Sequence, residues 1–304
     1  MQDSNFSIQI ETIELPDGIT LECRTCGPQG APSVVMLHGF PQGAFVWDEL
    51  SQTLAAQGWR CIAPNLRGFG GSSQPPQAEQ YRAKHLTQDI VALLQAAGPQ
   101  PVEALIAHDW GGALAWSVAA THPHLMKRFI AINSPHSAMF QKALQSDAGQ
   151  QAASAYMHYL SREDAAERLS ANGFEKLWGF LRPAVGDASA TWLTDDLVRA
   201  HEAVWARGLK GQCYYYQQSP LKPPLAPDDP VMTLSLSDSL THVSVPTDVI
   251  WGLQDKALRP SLLDGLEAYV PHLQIHPIAD ASHWVLHEQP EQVADLVLRA
   301  LHRA

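Results

Sequence analysis

No stretch of this chain approaches the roughly 18 consecutive apolar residues that a membrane-spanning helix requires. The opening Met1-Gln2-Asp3-Ser4-Asn5-Phe6 has neither the basic nor the apolar region of a signal peptide, so a cytoplasmic location is expected. Basic residues are scarce. Lys and Arg number 20 against 31 Asp and Glu, a formal net charge of -11, which argues against nucleic acid or an anionic membrane as partner. Cysteine is scarcer still, at four residues. Cys23-Arg24-Thr25-Cys26 has the spacing of a redox or metal pair, but it lies in an extended stretch with no helix start to lower a thiol pKa. No second pair exists to complete a zinc site, so these read as ordinary strand cysteines. Neither His201-Glu202 nor His287-Glu288 is followed by a histidine at the zinc-protease spacing. No metal site is expected, and His287, like His122, His124, His136 and His158, reads as structural or exposed.

What is present is enough apolar material for a large core: 304 residues, 45% hydrophobic and 17% charged. Residues 7–15 and 19–27 alternate around Pro16-Asp17-Gly18, the pattern of a hairpin. Short apolar runs at 33–39, 60–64, 102–108 and 128–133 read as buried strands. Helical spacing fills 47–58, 85–98 and 111–121 between them. Such strand–helix alternation predicts a parallel sheet wrapped by helices. The rhythm breaks near Pro135, and residues 137–240 read as a mainly helical insert. Strands at 247–252 and 273–278 and helices at 261–269 and 290–302 then complete the sheet unit. The expected division is a core of 1–136 and 241–304 with a cap of 137–240.

In open parallel sheets, ligands bind beyond the carboxyl ends of the strands. His38-Gly39-Phe40-Pro41, Asp109, Asn133-Ser134-Pro135-His136, Asp255 and Ser282-His283-Trp284 stand at those ends. Leu105-Ile106-Ala107-His108-Asp109-Trp110-Gly111-Gly112 has the outline of a nucleophile elbow, a sharp strand-to-helix turn that lifts one side chain above the sheet. The familiar elbow carries serine and performs acyl transfer; here the residue is aspartate. Asp109, Asp255 and His283 follow one another in the nucleophile–acid–histidine order of that architecture. Each has a plainer reading: Asp109 as a helix cap, Asp255 as a turn residue, His283 as a packed core histidine.

Five segments in order decide against the plain readings. They are His38-Gly39-Phe40-Pro41, Asn65-Leu66-Arg67-Gly68-Phe69-Gly70, His108-Asp109-Trp110-Gly111-Gly112, Trp251-Gly252-Leu253-Gln254-Asp255 and Ala281-Ser282-His283-Trp284. Through them the chain resembles the α/β-hydrolase-fold epoxide hydrolases over nearly its whole length. The resemblance implies a mostly parallel eight-stranded sheet with helices on both faces and an inserted helical cap. It implies Asp109 as the nucleophile toward an epoxide carbon, and His283, supported by Asp255, as the base that drives water onto the resulting ester. The backbone N–H groups of Phe40 and Trp110 would form the oxyanion hole. Two cap tyrosines would protonate the departing oxygen; Tyr159 and Tyr216 fit best, with Tyr214 and Tyr215 open as alternatives in the second motif. His38, Pro41, Trp110, Trp284 and Tyr215 are expected to contact substrate, and Trp116 and Trp251 to be core. The reactants would be an epoxide and water, with no cofactor, and the protein a monomer or homodimer. Asn65 stands where the family tends to have aspartate, which is expected to remove a buried ion pair near Arg67.

Two rival readings share parts of this set. A haloalkane or haloacid dehalogenase would also use Asp109 and His283. Yet Phe40 replaces the second halide donor usual in haloalkane dehalogenases, and Trp110 replaces the arginine typical of fluoroacetate dehalogenases. A non-catalytic small-molecule binding protein of the same fold is the third.

Overall fold

The computed structural model describes residues 6–182 and 192–303. Eight strands form one sheet: β1 (Gln9–Glu14), β2 (Thr20–Cys26), β3 (Ser33–Leu37), β4 (Arg60–Pro64), β5 (Ala104–His108), β6 (Phe129–Ile132), β7 (Thr247–Gly252) and β8 (Leu273–Ile278). Their spatial order is β1-β2-β4-β3-β5-β6-β7-β8. The β1–β2 and β2–β4 pairs are antiparallel, and the remaining pairs are parallel. Cys23 and Cys26 lie buried in β2 as free thiols, and burial pushes Cys23 up to about 12.

Alternation along each inner strand splits the core in two. Val35, Leu37, Leu105, Ala107, Phe129, Ala131 and Val249 face one side. Val34, Met36, Ala104, Ile106, Ile130, Ile132 and Ile250 face the other. With side chains buried on both faces, a strand reads as a continuous apolar run. The second face is covered by α1 (Asp48–Ala56) and by α13 (Pro290–His302), through residues such as Leu54 and Val297. The first face carries α2 (Ala83–Ala96) and α3 (Asp109–Thr121), through Leu93 and Val118. Trp116 and Trp251 are both buried.

Between β6 and β7 the chain is mainly helical: α4 (Ser137–Ser146), α5 (Ala148–Ala153), α6 (Tyr156–Leu160), α7 (Ala165–Ser170), α8 (Glu175–Leu181), α9 (Asp195–Trp205), α10 (Lys210–Gln218) and α11 (Asp238–Thr241). A short α12 (Val285–Glu288) precedes α13. The helix expected at 261–269 does not form. Two 3-10 turns, Pro260–Leu263 and Leu266–Ala268, take its place. Gly265 between them sits at φ 88, a left-handed conformation that ends helical propagation.

The Asn65 expectation is also corrected. Arg67 keeps a buried ion pair, because Asp89 of α2 meets it with two contacts of 2.7 and 2.6 Å. Asn65 does different work: its Oδ1 accepts from Ala44 N–H at 2.8 Å and its Nδ2 donates to Glu22 at 2.7 Å.

A second buried cluster holds the last helix to the sheet. Asp248, within β7, accepts from His276 Nε2 at 2.7 Å and from Arg303 at 3.0 Å, and Arg128 lies 3.6 Å away. Burial alone would raise its carboxyl; the His276 and Arg303 hydrogen bonds outweigh that and hold it below the ordinary value. A depressed carboxyl stabilises the fold above its unfolded pKa, and the contribution is lost as pH falls. Asp248→Asn is expected to cost about 3–5 kcal/mol in urea unfolding at neutral pH, as for a broken buried pair. The gap from wild type narrows below about pH 4; a constant gap across pH contradicts the assignment.

Candidate active site

Asp109 closes β5 and opens α3 at φ 48, in the left-handed region that a non-glycine residue enters at a cost of order 1–3 kcal/mol. The turn is held from two sides. Ser134 Oγ donates to the Asp109 carbonyl at 2.8 Å, and Gly111 N–H donates to the His38 carbonyl at 3.1 Å. A β-carbon on Gly39 would fall 2.3 Å from that of Asp109, so the loop after β3 approaches the aspartate only as glycine. That approach delivers Phe40 N–H to Asp109 Oδ1 at 2.8 Å.

The other carboxylate oxygen, Oδ2, faces His283 Nε2 at 3.6 Å. His283 Nδ1 lies 2.7 Å from Asp255 Oδ2, and Asn133 Nδ2 donates to the same oxygen at 2.8 Å. Asp255 Oδ1 accepts from the N–H groups of Ala257 and Leu258, both at 2.8 Å. Asp255 is therefore saturated and fixed, with one oxygen turned to the imidazole. Burial disfavours charge on His283, but Asp255 and then Asp109 outweigh it and push the imidazole up to about 9. Burial raises the Asp109 carboxyl, against the pull of His283 and the N–H groups of Trp110 and Phe40.

The three side chains open into a cavity of about 1650 Å³ between the sheet and the helical segment. Its walls include Phe40, Pro41, Trp178, Phe180, Tyr216 and Trp284. Tyr216 from α10 packs edge-on against Phe40 and Trp110. Burial, then the charges of neighbours including Asp109, hold its phenol well above the ordinary value. Beside it on the cavity wall stands Tyr156, the first residue of α6, its ring edge-on at 6.2 Å. Burial and the charges of Asp109 and Asp255 raise that phenol as well.

Several expected contacts lie elsewhere. The Tyr159 hydroxyl is sealed and without a partner among the described residues, and its ring borders a separate small recess beside Lys176. Tyr156, one turn earlier, takes the place beside Asp109. His38 is fully buried; its Nε2 accepts from Leu66 N–H at 3.0 Å, so it fastens the loop that carries Phe40 instead of touching the cavity. Tyr215 donates to the Arg67 carbonyl at 2.8 Å and points away from the cavity. The Trp110 ring stacks edge-on behind Tyr215 and Tyr216 and is not part of the wall. Pro41 and Trp284 do line it, and Trp284 Nε1 donates to the Phe180 carbonyl at 3.2 Å. Asn133, known beforehand only as a strand-end residue, orients Asp255. Its position at the end of β6 was the available sequence signal, and in the structure it sits at φ 37.

Among the described residues no helix is long and apolar enough to cross a membrane, and no three His, Cys, Asp or Glu side chains are grouped to hold a metal ion. The alpha/beta hydrolase fold family matches residues 32–290. The AB hydrolase superfamily protein YfhM of Bacillus subtilis is 31% identical over 290 residues, covering 94% of this chain and 95% of that protein. An epoxide hydrolase of Caballeronia sordidicola is 30% identical, covering 90% and 88%. The crystal structure of an epoxide hydrolase from Bacillus megaterium superposes with a TM-score of 0.86 at 27% identity, over 96% of this chain and all of that one. With a family match spanning β3 to β8 and a sharp strand-to-helix turn at Asp109, the chain belongs to the α/β-hydrolase fold family, alongside relatives that include epoxide hydrolases.

Proposed function

We propose that the protein is an epoxide hydrolase that converts an epoxide to a vicinal diol through an ester on Asp109. The observation that carries this reading is the pairing, in one cavity, of a carboxylate at the elbow with two buried phenols, Tyr156 and Tyr216. A carboxylate suits attack on an electrophilic sp3 carbon, and an epoxide oxygen needs an acid as its bond breaks. Similarity to named epoxide hydrolases supports the same reading.

On this reading the two oxygens of Asp109 take different roles, which their unlike surroundings support. Oδ1 already accepts from Phe40 N–H, so it remains the carbonyl oxygen of the ester. Oδ2 is the nucleophile. It forms a bond to one epoxide carbon as that carbon's bond to oxygen breaks, and a tyrosine proton passes to the departing oxygen. Both phenols stay protonated at neutral pH because burial beside Asp109 opposes their ionisation. Solvent returns the proton to the tyrosinate.

In the second step His283 removes a proton from water and the hydroxide adds to the ester carbon. The developing oxyanion is Oδ1, already at the N–H of Phe40 and near that of Trp110. On collapse the bond from the acyl carbon to Oδ2 breaks and the imidazolium proton passes to Oδ2, which releases the diol with the original Oδ2 and leaves a water oxygen in Asp109. Asp255 keeps the imidazole aligned throughout. Esterification also tunes the base. It cancels the Asp109 charge that helps hold His283 up at about 9, so the imidazole holds a proton tightly before attack and gives it up more easily in the ester, where the neutral ring must take a proton from water. The reactants are the epoxide and water, handled by one chain in a cytoplasmic setting.

The direct test is a panel of aliphatic, aryl and terpene epoxides read by diol formation. Wild type is expected to form diol from at least one member, and Asp109→Ala to fall to the uncatalysed rate; equal activity of the two would contradict the reading. Tyr156→Phe should lower kcat by about a hundredfold or more, the usual worth of a general acid. Tyr159→Phe should stay within about threefold of wild type, because its hydroxyl faces neither the cavity nor Asp109; on an order-of-magnitude scale that is a neutral change. The opposite ranking would restore the sequence-based choice of Tyr159. In single-turnover experiments, ester hydrolysis should rise with pH and level off with an apparent pKa below about 9. An inflection at or above that value would mean that the Asp109 charge does not support His283.

A further inference from the structure

A chain of three polar side chains, Gln42 and His201 buried and His287 partly so, lies beside the catalytic residues and plays no part in the steps above. Gln42 Nε2, two residues after Phe40, lies 2.8 Å from His287 Nε2 and 3.4 Å from His201 Nε2. His287 belongs to α12, four residues beyond His283, and lines the cavity. His201 is on α9 of the helical segment and is fully buried.

The proton positions follow in sequence. His201 Nδ1 lies 2.7 Å from the Leu197 carbonyl, which accepts only, so Nδ1 carries the proton. Its Nε2 is then bare and faces the amide N–H2 of Gln42, which fixes the amide's orientation. The same N–H2 meets His287 Nε2, so that nitrogen is bare too, and the His287 proton sits on Nδ1. Burial pushes His201 down to about 4 and His287 down to about 3, so neither ring is charged near neutral pH. Nδ1 of His287 has no hydrogen-bond partner among the described residues and is not sealed from the cavity. Trp192 stacks on the ring at 4.7 Å and 9°, which holds its plane. The arrangement has one cost: Gln42 Oε1 is buried without a partner among the described residues.

We propose that His287 is a specificity-determining residue whose Nδ1–H donates to an uncharged oxygen, ether or carbonyl, carried on the side chain of the epoxide substrate. A neutral donor locked in one tautomer and one plane suits such an acceptor and offers nothing to an ammonium or to a plain hydrocarbon chain. The inference rests on the epoxide hydrolase reading and adds a substrate class to it.

The experiment compares two epoxides of one shape, phenyl glycidyl ether and 4-phenyl-1,2-epoxybutane, which differ by oxygen against methylene. Wild type is expected to favour the ether in kcat/KM, through KM, by about two- to tenfold, the range of one neutral hydrogen bond. His287→Phe keeps a ring against Trp192 and should bring that ratio to about one. A wild-type ratio of one, or a preference that survives in His287→Phe, overturns the proposal. Conversion of neither epoxide, with none of the wider panel converted, would instead sink the epoxide hydrolase reading. Nitrogen-15 spectra of wild-type protein give a second readout that needs no variant: they should show His287 protonated at Nδ1, and protonation at Nε2 would overturn the proposal as well.

Discussion

The site depends on one contact, the hydrogen bond from Phe40 N–H to Asp109 Oδ1. It exists because Asp109 is forced into a left-handed turn and because the loop after β3 comes close enough for its N–H to reach the carboxylate. Parallel pairing of β3 with β5 brings these two strand ends together. His38 serves the same contact from behind by pinning its loop to Leu66. Strain at one residue is thus offset by packing that spans two strands and the loops after them. In return, the carboxylate has two unlike oxygens before any substrate arrives.

In the proposed reaction, the charge around that carboxylate changes and is not merely stored. Asp255 is held by Asn133 and by two backbone N–H groups, so it supports His283 in every step. Asp109 supports His283 only while it is ionised. On that reading, one imidazole between a permanent and a transient anion is protonated and paired in the resting enzyme, and neutral and able to take a proton from water in the ester. The helical segment supplies the complementary groups: two phenols kept neutral by burial beside the same carboxylate.

Much of this was legible in the amino-acid sequence, for identifiable reasons. The inner strands are buried on both faces, so Val34 to Leu37 or Phe129 to Ile132 stand out as unbroken apolar runs. The order of Asp109, Asp255 and His283 follows from strand ends alone. What failed was side-chain direction. Tyr156 and Tyr159 share the short helix α6, and only packing against the core decides which of them meets Asp109. His38, Trp110 and Tyr215 lie in the right segments but face inward, because each fastens or backs a neighbour that does reach the cavity. Asn65, standing where the family tends to have aspartate, suggests a lost ion pair near Arg67, whereas Arg67 finds Asp89 from a different element.

The most direct measurement is the fate of oxygen in a single turnover run in heavy-oxygen water with enzyme in excess of epoxide. Attack by Asp109 predicts an unlabelled first diol and one heavy oxygen in the peptide that contains Asp109. Label in the first diol and none in that peptide would mean that water attacks the epoxide directly, and the ester on Asp109 would have no place in the reaction.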